Sequence, residues 1–88
     1  DSHCETEIRE FPVTAASPWA ERVLDDLELW QTYGVTILAV DRPEEGLVAN
    51  PCPSFCIHEG DALILMGTQA QLDTVSRALE MATASTPA

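Results

Sequence analysis

The chain has 88 residues, enough for one small domain and little more. Hydrophobic residues make up 45% of it, too many for a disordered tail. Fifteen Asp and Glu stand against four Lys and Arg, giving a net charge of -11, which argues against nucleic-acid partners and anionic membrane surfaces.

No apolar run approaches the roughly 18 residues that cross a bilayer. The start, Asp1-Ser2-His3-Cys4-Glu5, is polar and carries no signal peptide or initiator Met, so the chain reads as a piece of a longer protein. Three cysteines (Cys4, Cys52, Cys56) are a poor disulfide framework and suit a reducing compartment.

From Glu5 to Val13, Ile8, Phe11 and Val13 sit among charged residues, which predicts an edge strand with Pro12 near its end. Ser17-Pro18 predicts a helix start, with Ser as cap and Pro in the first turn. Trp19, Val23, Leu24, Leu27 and Trp30 follow near helical spacing, and Gly34 closes a segment of one or two short helical turns. Val35 to Val40 is the clearest strand, apolar enough to be central and covered on both faces. Asp41 to Gly46 is a turn, and Leu47 to Ala49 returns to make a hairpin that Asn50-Pro51 ends.

Cys52 to His58 reads as a loop with some extended character. Glu59-Gly60-Asp61 is a tight turn, with Gly60 at positive φ and Asp61 bonding the turn backbone. Ala62 to Met66 is a second buried strand. Gly67 permits a sharp exit, and Thr68 to Gln71 matches a capping box. Leu72, Val75, Leu79 and Ala82 then form one apolar stripe of a C-terminal helix. The expected fold is a small antiparallel α+β domain: a sheet or pseudo-barrel of about four strands, a short helical segment after the first, and a final helix. The domain is expected over residues 5–82, with flexible ends at 1–4 and 83–88.

Ser17-Pro18, Leu24, Leu27, Leu29, Gly34-Val35-Thr36-Ile37, Arg42, Asn50-Pro51, Pro53, Gly60-Asp61-Ala62-Leu63 and Gly67-Thr68 together resemble the TrkA C-terminal family. That domain is also called the C-terminal lobe of regulators of potassium conductance. The resemblance implies a dimeric regulatory domain on the cytoplasmic side of a potassium channel, potassium uptake system or other ion transporter. Some members bind cyclic di-AMP at the dimer interface. Carried over by position, the contacts would fall at Ile37, Arg42 and Asn50. The family often has Gly-Lys where this chain has Glu21-Arg22, and together with Asp41, Glu44 and Glu45 this departure makes an anionic ligand less comfortable.

Each sharper reading has a plainer one beside it. Arg42 and Asn50 are expected to face each other across the hairpin. They suit a phosphate and a base, or else an exposed Arg paired with Asp41 or Glu44 and an Asn opening a turn. Cys52, Cys56 and His58, with His3 and Cys4, could hold a transition metal, but the spacing matches no strong zinc pattern and no metal site is assigned. Asp25-Asp26 and Glu44-Glu45 are read as solvated faces. Trp19 and Trp30 are expected in the core or an interface. No nucleophile elbow or phosphate-binding glycine loop is present, so the chain is not read as an enzyme. No cofactor is expected beyond a possible nucleotide ligand. A ligand-free dimerisation module and a metal sensor are the alternatives.

Overall fold

A computed structural model describes residues 5–84, with side chains described to residue 82. Of the expected flexible ends 1–4 and 83–88, residues 1–4 (with His3 and Cys4) and 85–88 lie outside the described residues, whereas Thr83 and Ala84 continue the last helix.

The elements run β1 (Thr6–Pro12), α1 (Leu24–Leu27), α2 (Leu29–Tyr33), β2 (Thr36–Arg42), β3 (Gly46–Ala49), β4 (Ala62–Thr68) and α3 (Gln69–Ala84). The four strands form one antiparallel sheet in the order β1-β4-β2-β3. It is an open sheet, not a closed pseudo-barrel, and β1 is an edge strand as expected. β2 is flanked on both sides, by β4 and by the short β3, and its register shifts between Ile37 and Ala39.

Alternation decides the two faces. Along β4, Leu63 and Leu65 point to the core, and their register partners Phe11, Val40 and Ile37 share that face. Leu72 and Val75 of α3 cover it, joined by Trp19, Leu24, Leu29, Val35 and Ile57. Trp19 meets Phe11 edge-on with ring centroids 6.0 Å apart. The opposite face carries Ile8, Ile64 and Met66, of which Ile8 is largely exposed.

The capping box forms as predicted. The Thr68 amide donates to Gln71 Oε1 at 2.9 Å, and the Gln71 amide donates to Thr68 Oγ1 at 3.1 Å. Gly67 stays within β4 instead of turning out of it, and its glycine is explained by close packing: a Cβ there would lie 2.9 Å from Val35 Cγ1. The first helix starts later than Ser17-Pro18 suggests. Ser17 Oγ accepts from the Trp19 amide at 3.1 Å inside a non-helical turn, and Glu21 takes φ 65, which stops that turn from propagating. Helix begins only at Leu24, then breaks at Glu28, also left-handed at φ 50.

Candidate ligand-binding site

The expected site residues lie on one hairpin but do different things. Ile37 is half-buried at the start of β2 and lines an open groove of about 350 Å³. The buried Leu24 and Leu29 of the two short helices line it, with Pro51, Pro53 and Trp30, which is 66% exposed. Trp30 follows the helical stripe in sequence. The break at Glu28 turns it outward, leaving the largest side chain of α2 without core packing. Asp25 and Glu28 also line the groove, and no basic residue does among the described residues.

Asn50 and Arg42 do not face each other. Arg42 is opposite Gly46, whereas the Asn50 amide donates to the Leu38 carbonyl at 2.8 Å. The regular β2–β3 register sets Arg42 at the turn end of the hairpin and Asn50 (φ 49) at its open end, four residues along β2. Asn50 is exposed beside Pro51, at the groove's end of the hairpin.

Arg42 is held inside the domain. Its Nε donates to Asp61 Oδ1 at 2.9 Å and its Nη2 to Asp61 Oδ2 at 2.8 Å, a fork-on-fork pair. Nη2 also donates to the Cys56 carbonyl at 2.8 Å, and the guanidinium lies 4.7 Å over the Phe55 ring. Nη1 faces Glu45 at 4.0 Å. The ion-pair partners expected from sequence were Asp41 or Glu44; the structure supplies Asp61 and Glu45, because Asp61 immediately precedes β4, whose Ala62 pairs with Asp41 near the end of β2. Asp61 is 2% exposed and also accepts from the His58 amide at 2.8 Å. The hydrogen bonds from Arg42 hold its carboxyl below the usual carboxylate range, overcoming the opposing effect of burial, with the His58 amide helping. Arg42 is correspondingly raised, chiefly by the same hydrogen bonds.

The sequence pattern of the TrkA-C domain matches residues 8–80. The chain belongs to the TrkA-C domain family. This family consists of regulatory domains, and the chain is a regulatory domain and not an enzyme. The domain is 33% identical over 66 residues to the probable potassium channel protein 2 of Methanocaldococcus jannaschii, covering 75% of this chain but only 19% of that protein. It is similar to the C domain of the regulator of conductance of K+ in the potassium transport protein KtrA, solved with cyclic diadenosine monophosphate. There the TM-score is 0.75 at 28% identity, with 84% of each chain covered. It also shares the fold of the same domain dimer of Streptococcus agalactiae BusR, solved with the same nucleotide (TM-score 0.72, 20% identity, 83% of this chain and 89% of that one). BusR has also been solved with promoter DNA. The acidic charge of this TrkA-C domain therefore does not support excluding nucleic acid as a partner of a larger protein that carries the fold. Among the described residues, no helix is long and apolar enough to cross a membrane.

Proposed function

We propose that this TrkA-C domain senses a small ligand, works as a homodimer, and regulates a potassium-type or other ion transporter or channel from the cytoplasmic side. Its ligand site is the hairpin region of Ile37, Arg42 and Asn50. The observation that carries the reading is the apolar groove at Ile37, edged by an exposed Trp30, in a domain similar to one solved with cyclic di-AMP. Ile37 supplies apolar contact, Asn50 supplies an exposed amide beside Pro51, and Arg42 offers its Nη1 edge while its other nitrogens hold the hairpin to β4. A second copy closing over Trp30 would enclose a ligand that the open groove only half covers. Such a ligand would bias the attached transporter by its differential affinity for two dimer arrangements.

A ligand-free dimerisation module is the second reading. The acidic groove wall and the commitment of Arg42 to Asp61 favour it.

A thermal-shift titration with cyclic di-AMP separates the two. At a hundredfold excess over its dissociation constant, a ligand specific for the folded state adds about 2.7 kcal/mol, which for a domain of this size raises Tm by roughly 10 °C or more. Ile37→Glu and Asn50→Gly should each reduce the shift; the glycine keeps the left-handed backbone while removing the amide. No shift with a correctly folded chain would leave the dimerisation module standing.

A further inference from the structure

We infer that Glu21, Cys56 and His58 form a binding site for a borderline divalent transition-metal ion of the zinc class. This goes beyond the ligand site proposed above and does not depend on it. One carboxylate oxygen, one thiol sulfur and one imidazole nitrogen from these three residues lie within 4.8 Å of one another. His58 Nδ1 is already 3.3 Å from Glu21 Oε2. Bonds of about 2.0–2.3 Å to a tetrahedral ion separate its ligands by roughly 3.3–3.8 Å, so closing the site needs about 1 Å of side-chain movement. Glu21 and His58 are exposed and free to make it, while Cys56 is half-buried and stays in place.

The backbone beneath the three is rigid. The Glu21 amide donates to the Ile57 carbonyl at 2.7 Å, the Ile57 amide donates to the Arg22 carbonyl at 2.8 Å, and Val23 bridges Cys56. Cys56 and His58 are two apart in this extended segment and so project to one side. The ion pair described above supports both: Arg42 binds the Cys56 carbonyl at 2.8 Å, and Asp61 binds the His58 amide at 2.8 Å. Glu21 reaches the site from a left-handed backbone that a glycine would occupy without strain.

The donor set selects the ion. One thiolate, one imidazole and one carboxylate match zinc-class chemistry, and the two negative ligands neutralise a 2+ charge. A single carboxylate is too few hard oxygens for calcium or magnesium. Three protein ligands leave the fourth position to water. Cys52 is exposed and outside the cluster.

The test is cobalt(II) titration of the 88-residue chain followed by absorption spectroscopy, with zinc calorimetry in parallel. Site occupancy predicts one ion per chain, a thiolate-to-cobalt charge-transfer band and ligand-field bands of tetrahedral strength. Cys56→Ser should remove the charge-transfer band, and His58→Gln and Glu21→Gly should each weaken zinc binding at least about tenfold. Glu21→Gly also relieves the left-handed backbone, and its unfolding curve in metal-free buffer separates lost binding from lost folding. Cys52→Ser and Cys4→Ser should change nothing. Absence of the band, its survival in Cys56→Ser, or its loss in Cys52→Ser or Cys4→Ser would overturn the assignment.

Discussion

Replacing Arg42 with Met removes the fork from Asp61 and leaves a carboxylate that is 2% exposed with one amide donor, from His58. Breaking a buried ion pair from one side costs about 3–5 kcal/mol. The unpaired Cys56 carbonyl and the lost stacking on Phe55 act in the same direction, at roughly 1 kcal/mol each. A domain of this length is stable by roughly 4–13 kcal/mol. The substitution therefore consumes a large share of that stability, with Tm falling by about 15 °C or more. Removing both charges, as Arg42→Met with Asp61→Leu, should be less damaging than Arg42→Met alone, because no buried charge is left behind. Urea unfolding followed by the fluorescence of buried Trp19 measures both variants, in a Trp30→Phe background that silences the exposed indole. A cost below about 1 kcal/mol for Arg42→Met would match an exposed salt bridge. It would refute the argument that this arginine clamps the hairpin to β4.

Further expectations can be checked on the same chain. The folded-state pKa of Asp61 is depressed, so its stabilisation is complete above its unfolded value of about 3.9 and is lost as pH falls through the lower folded value. The stability difference between the native chain and Asp61→Asn should thus be constant from pH 5 to 8, as an order of magnitude, and shrink below about pH 4 in denaturation curves. Gly67→Ala should destabilise by about 1–3 kcal/mol, since the new methyl meets Val35 Cγ1 at 2.9 Å and Gln71 Oε1 of the capping box at 3.0 Å. Glu21→Gly should raise stability by up to about 1 kcal/mol in metal-free buffer by relieving the left-handed conformation at φ 65. Unchanged or lower stability would mean that the Glu21 side chain contributes more than its backbone strain costs.

What was legible in the sequence was local. The β2 run, the Gly60-Asp61 turn and the Thr68–Gln71 capping box each depend on neighbours a few residues apart, and all form. The helix start at Ser17-Pro18 failed because a turn and a helix share the same opening residues, and only Glu21's backbone distinguishes them. Trp30 kept helical spacing in the sequence yet faces solvent, because the break at Glu28 changes the phase of the stripe. The site was less legible. Asp61 looked like a turn residue and Arg42 like a surface one, and nothing local joins positions 19 apart. Glu21 and His58 are 37 apart and meet only because residues 21–23 pair with 56–57. The missing family glycine was the one available signal at Glu21, and it was read only as an added acid; the left-handed backbone there (φ 65) and what the carboxylate touches come from the structure.

In the proposed function, two copies of this domain close over a ligand at the Ile37 groove. Sedimentation equilibrium of the chain, with and without saturating cyclic di-AMP, tests it most directly. The expected result is a dimer tightened by the nucleotide, with one nucleotide bound per two chains and both effects weakened by Trp30→Ala. A chain that sediments as a monomer, or as a dimer indifferent to the nucleotide, would contradict it.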